Sequence, residues 1–212
     1  MKKLIIIIGL FTALLSGSAF GQDDGQAKEL YLSYGSTSSQ GQPGAKLRLE
    51  LLRNGERKFV PLDTIFYNGD KVKFHFEVNF PAYVEIYNRA SSGKDQRLFP
   101  FSGAARRVNP TSDYIVPGGA QWFEFTGKAG EERLTFLFSS AQIRPSGGSV
   151  TVNPPRNRPQ GANSQALDEL NSRAIQNGKD LRLTHTNGGT YIVISEQSLR
   201  KPTGFTVTLK HK

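Results

Sequence analysis

The 212-residue chain contains no cysteine, one tryptophan, one methionine and three histidines. Without cysteine there is no thiol nucleophile, no cysteine-ligated metal, no disulfide and no lipid anchor built on a cysteine. Three histidines, His75, His185 and His211, leave little for a metal centre, which needs two or more nearby His or carboxylate ligands. Only His75 and Glu77, two apart on one strand face, could chelate locally, and exposed strand polarity explains that pair better. No Gly-x-Ser-x-Gly elbow and no Walker-type phosphate loop occurs. Ser91-Ser92-Gly93 has the composition of a turn. Glu131-Glu132 are adjacent, so on a strand they point to opposite faces rather than pairing as glycosidase carboxylates do. These absences point away from catalysis, metals and cofactors.

A long apolar run occurs once. Met1-Lys2-Lys3 leads into Leu4–Leu15, about a dozen mostly apolar residues, then small residues and Ala19-Phe20-Gly21. This is the pattern of a secretory signal peptide over residues 1–21, cleaved after Gly21. The run is shorter than the roughly 20 residues a membrane helix needs. No later segment could span a bilayer as a helix, so the mature chain is expected to be periplasmic or secreted. The formal charge is +9, and removing Lys2 and Lys3 leaves 25 basic against 18 acidic residues, a net of +7. Such a balance favours anionic surfaces, while export makes nucleic acid the weakest partner.

What the chain has in abundance is short alternating segments cut by turn residues. In 45–53, Leu47, Leu49 and Leu51 alternate with Arg48 and Glu50, and Asn54-Gly55 predicts a tight hairpin returning through 57–62. In 71–78, Val72, Phe74, Phe76 and Val78 face one way and Lys71, Lys73, His75 and Glu77 the other. Further strands are expected at 30–34, 83–87, 96–99, 114–116, 121–125 and 133–138, the last buried on both faces. Residues 22–28 read as frayed, and no helical periodicity competes before residue 160. Four prolines among Gly, Ser and Asn mark 144–163 as a linker or surface loop, with a possible brief strand at 149–152. Asn163 or Ser164 can cap a helix closed by Asn177-Gly178, and strands follow at 180–184, 190–195 and 204–210.

The expected fold is therefore mainly all-β, an antiparallel Ig-like or jelly-roll-like sandwich with one short C-terminal helix. Residues 22–143 form the sandwich; 164–212 supply the helix and three strands that return to it or make a satellite sheet.

Three ordered blocks carry a family resemblance. They are Gly69-Asp70-Lys71-Val72-Lys73-Phe74; Tyr83-Val84-Glu85-Ile86-Tyr87-Asn88-Arg89-Ala90-Ser91-Ser92-Gly93-Lys94 with Leu98-Phe99-Pro100; and Trp122-Phe123-Glu124-Phe125 with Ala129-Gly130-Glu131-Glu132-Arg133-Leu134. Across 66–139 the chain resembles a bacterial family, domain of unknown function 4384, and its ending, Val207–Lys212, is similar to that of exported members. Ile86 departs from the aromatic or smaller aliphatic the pattern carries there. The resemblance implies a β-rich, exported accessory module of the cell envelope and supplies no active site to carry over.

The remaining interest is in aromatics near cations: Tyr83, Tyr87 and Trp122 with Arg89, Lys94 and Arg97. If solvent-facing, they suit a glycan, a peptide or single-stranded nucleic acid. If core, they are packing residues. The reading is a non-catalytic binding module for an envelope protein or glycan; a hydrolase with dispersed residues and a structural subunit of a surface assembly are the alternatives.

Overall fold

A computed structural model of the chain describes residues 26–36, 41–91, 93, 95–141 and 181–212. The expected signal peptide (1–21), the Pro/Gly-rich stretch (144–163) with its brief strand, and the helix after residue 163 lie outside these.

Helix α1 (Gln26–Ser33) is followed by β1 (Gly44–Arg53), β2 (Glu56–Val60), β3 (Ile65–Phe66), β4 (Lys71–Val78), β5 (Ala82–Arg89), β6 (Asp95–Phe99) and β7 (Arg106–Val108). Then come β8 (Tyr114–Val116), β9 (Phe123–Glu124), β10 (Gly130–Ser139), β11 (Arg182–Thr186), β12 (Gly189–Val193) and β13 (Thr203–His211). The first sheet is ordered β11-β12-β1-β4-β8, with β2 also on β1 and β9 also on β4. The second is ordered β3-β13-β10-β5-β6, with β7 also on β5. The chain is thus an all-β sandwich. All pairings are antiparallel except β3 with β13, which is parallel.

Alternation decides what each strand buries. Leu47, Leu49 and Leu51 of β1 and Val72, Phe74, Phe76 and Val78 of β4 face Val84 and Ile86 of β5, Leu134, Phe136 and Phe138 of β10, and Phe205, Val207 and Leu209 of β13. Phenylalanine rings knit the layers: Phe76 of β4 meets Phe99 of β6 edge-on at 5.2 Å, and Phe74 of β4 meets Phe136 of β10 edge-on at 6.4 Å. Each such side chain contributes about 1.5–3 kcal/mol by leaving water. β10 lies between β13 and β5 and is buried from Leu134 to Ser139 on both faces, as its run with few polar interruptions predicts. The three C-terminal strands pair within these two sheets: β11 and β12 extend the first beside β1, and β13 is internal to the second.

The Asn54-Gly55 turn forms as expected, with φ of +53° and +82° between the paired Arg53 and Glu56. At 68–70, Gly69 adopts φ +88° while Asp70 accepts the Tyr67 amide at 2.8 Å and holds Arg53 by two bonds of 2.8 and 2.6 Å. The Gly-Asp pair opening β4 is therefore a glycine that allows the turn and a carboxylate that locks it.

Four expectations are corrected. Residues 30–34, read as a strand, end an α-helix, and the expected fraying of 22–28 gives way to helix from Gln26. Ala27 and Tyr31, four apart, lie on one helix face and pack on Tyr191 and Val193. Eight residues show too little periodicity to declare themselves, and docking decides their conformation. The strand expected at 121–125 narrows to Phe123–Glu124. His75, expected on an exposed face, is buried, because Phe59, Glu50 and Asp113 close over it.

Candidate functional site

The sandwich separates the aromatic and basic residues singled out by sequence onto two faces. On the solvent side of the second sheet, alternation brings up Tyr83, Glu85, Tyr87 and Arg89 from β5 and Asp95 and Arg97 from β6. Tyr87 packs in a small second cluster with Ala105, Leu137 and the half-buried Tyr83. Its hydroxyl donates to Glu85 Oε2 at 3.1 Å, and Arg97 Nη1 donates to Glu85 Oε1 at 3.3 Å. Burial pushes the Glu85 carboxyl above its ordinary range, against the pull of Tyr87 and Arg97. Burial first, then the neighbouring Glu85, raises the Tyr87 phenol far out of the physiological range. Arg89 grips Asp95 by two bonds of 2.7 and 2.9 Å. Cation, phenol and carboxylate are engaged with one another here, the arrangement of a structural network. Lys94 lies outside the described residues.

Trp122 stands on the other face, next to β9, and not in the core. Lys71 pairs with Glu124 and Val72 with Phe123, so alternation sets Trp122 beside Lys73 on the solvent side of the first sheet. The Lys73 ammonium lies 4.7 Å from the ring centroid and the Arg57 guanidinium 5.2 Å, both at cation–π range. Lys73 is buried; its Nζ donates to the Gly119 carbonyl at 2.6 Å. Among the described residues neither Lys73 nor Arg57 has a carboxylate within ion-pair range.

Beside this cluster, Phe59 is 50% and Ile115 43% exposed. Arg48 lies over the Phe59 ring at 4.7 Å and pairs with Asp113 at 2.8 Å. His75 bridges the two carboxylates, Nδ1 to Asp113 at 3.0 Å and Nε2 to Glu50 at 3.3 Å. Because the carboxylates take opposite ring nitrogens, the three groups share no point where an ion could sit. Among the described residues no set of three His, Asp or Glu side chains is placed to hold a metal. Glu77, the other half of the local chelate considered from sequence, accepts the Tyr31 hydroxyl at 2.8 Å. Helix α1 thus roofs the β12 side of this sheet, while the half between Trp122 and Ile115 stays open.

The remaining histidines have structural partners: His185 Nδ1 meets Thr190 Oγ1 at 2.8 Å and His211 Nε2 meets Asn68 Oδ1 at 3.2 Å. None of these contacts is with a serine. Ser91 donates its amide to Glu132 Oε1 at 3.3 Å, and Glu132 Oε2 accepts from Asn88 Nδ2 at 2.8 Å. Ser91 and Glu132 thus tie β5 to β10. Glu131, on the other side of β10, pairs loosely with Arg133 at 3.6 Å.

The sequence pointed to Trp122 but missed Arg57, Phe59, Lys73 and Ile115. Lys73 was legible as an outward residue of the 71–78 strand; that Trp122 lies against it depends on the β4–β9 register, which no local pattern states.

Residues 65–142 match a family described as domain of unknown function (DUF4384), the span that holds the three sequence blocks. No curated protein and no solved structure matches the chain. Among the described residues no helix is long and apolar enough to cross a membrane.

Proposed function

We propose that this chain is an exported, non-catalytic binding module whose partner is an acidic protein or acidic glycan of the cell envelope, contacted on the open half of the first sheet around Trp122. The observation that carries this is the Trp122–Arg57–Lys73 cluster. Two cations without a carboxylate lie against one indole, beside the exposed Phe59 and Ile115. Aromatic area and arginine are the usual anchors of binding surfaces, and cations with no internal carboxylate favour a partner that carries anions. The net charge of +7 left after cleavage at Gly21 acts in the same direction over longer range.

Export rests on the basic start, the apolar run and the small residues before Gln22. Expression of the full chain in a bacterial host should yield protein that begins at Gln22 by intact-mass analysis and fractionates outside the cytoplasm. Unprocessed cytoplasmic protein would refute export.

For binding, the purified chain is titrated with polygalacturonate and with neutral dextran, and offered to envelope-protein extract through a photo-crosslinker at position 59. Saturable binding to the acidic polymer, or one dominant crosslinked envelope protein, is expected. Arg57→Glu and Trp122→Ala should lower either by at least about tenfold, the scale of one lost hot-spot contact. Unchanged binding by both variants overturns the site. Turnover of ester, peptide or glycoside substrates that Ser91→Ala or Glu132→Gln abolishes overturns the non-catalytic reading.

A further inference from the structure

At one end of the sandwich the sheets part around a cleft of about 660 Å³, far from the Trp122 surface in character because its walls are the core itself. Val72, Phe74, Phe123, Leu98, Leu134 and Leu209 form those walls. The volume lies in the range of small-molecule sites. All lining residues except Leu209 and His211 fall within residues 65–142, so the cleft belongs to the family-matched part of the chain.

Its polar groups are unevenly matched. Glu132 is a carboxylate that only accepts, so its 2.8 Å bond fixes Asn88 with Nδ2 toward it. That leaves Asn88 Oδ1, which is buried and meets no hydrogen-bond donor among the described residues. A buried acceptor without a donor is a standing cost of folding and is seldom left in place without a use. Glu132 accepts from Asn88 and from the Ser91 amide and retains capacity on both oxygens. Of the charges around the cleft, Glu124 is paired with Lys71 at 3.5 Å, and Lys128 sits exposed on the outer loop. The inner part thus presents the acceptors of Asn88 and Glu132 on apolar walls, beside Gln96 and the buried His211, whose Nε2 is engaged with Asn68 Oδ1 at 3.2 Å.

We infer that this cleft binds an amine on an apolar stem, whose N–H groups satisfy Asn88 and Glu132 while the stem lies between the sheets. A free amine and the N-terminal residue of a peptide both present this chemistry. The site is independent of the Trp122 surface, and no reaction is assigned to it.

The test is a titration of the ¹⁵N-labelled full chain followed by NMR. The probes are 2-phenylethylamine, 3-phenylpropionate as the matching anion, and Phe-Gly-Gly amide with its N-terminus free or acetylated. The amine should saturate with a Kd of about 1 mM or tighter and shift the Asn88 side-chain amide and the amides of 129–134. Glu132→Gln should weaken it at least tenfold. Ala129→Trp, which fills the mouth from an exposed position and leaves the core intact, should abolish saturation. If the free peptide binds tenfold tighter than its acetylated form, the source is a peptide terminus; saturation by the amine alone assigns the site to a small molecule. Equal affinity for 3-phenylpropionate, or shifts that persist in Ala129→Trp, overturns the inference.

Discussion

Asp70 and Glu85 are both buried carboxylates beside an arginine, yet burial and charge resolve oppositely in them. The hydrogen bonds from Arg53 hold Asp70 below the ordinary carboxylate range despite burial, and the Tyr67 amide adds to this. A depressed carboxyl contributes stability above its unfolded value, about pH 4, and loses it as pH falls through the folded value. Asp70→Asn should therefore cost about 2–3 kcal/mol at pH 7 in urea unfolding, and the gap to the parent should close below about pH 4. In Glu85 burial dominates and the folded value is raised. The folded state then holds the proton more tightly than the unfolded one, so acidification through that window adds stability. Glu85→Gln should lie within about 1 kcal/mol of the parent at pH 7, and the parent should gain on it as pH is lowered. Trp122, half-buried on a surface, should behave unlike a core aromatic: Trp122→Ala costs about 1–2 kcal/mol, not the 3–5 of a buried ring, and its main effect is on binding.

At the scale of single elements, α1 shows how little a short helix says about itself. It is held by Tyr31, by Thr184 Oγ1 accepting the Ala27 amide at 3.1 Å, and through Asn79. Asn79 Nδ2 donates to the Tyr31 and Gln42 carbonyls at 2.8 and 2.9 Å, and its Oδ1 accepts the Gly44 amide at 2.7 Å. Asn79→Ala should release the helix before the sheets: hydrogen exchange at 26–33 speeds up while β10 stays protected. A β-carbon at Gly130 would come within 2.5 Å of the Ser91 Cβ. Gly130→Ala should push the 90–93 turn outward and cost about 1–3 kcal/mol, read as a lower melting temperature. The strands were legible where alternation is strict, as in β1 and β4, or where a turn pair fixes the end, as at Asn54-Gly55. β3 and β7, with two and three residues, carry no period of their own and exist because β13 and β5 offer them an edge. The candidate site was legible only as a list of residue types. Alternation could tell that Lys73 points outward, but only the register of distant strands divides Tyr87 from Trp122.

Across the whole molecule, strands distant in sequence lie side by side. β1 pairs with β12, and β13 runs between β3 and β10 while placing Phe205, Val207 and Leu209 in the core. The family-matched span 65–142 contains neither β1 nor β13, so it lacks one wall of each sheet. Expressed alone it should be insoluble or molten, and deletion of residues 203–212 should abolish cooperative unfolding of the rest, since each leaves β10 with an open edge and half its core. This interlacing also orders events in time. During synthesis β1 waits for β12 and β10 waits for β13, so neither sheet can be completed until residues 189–211 have followed.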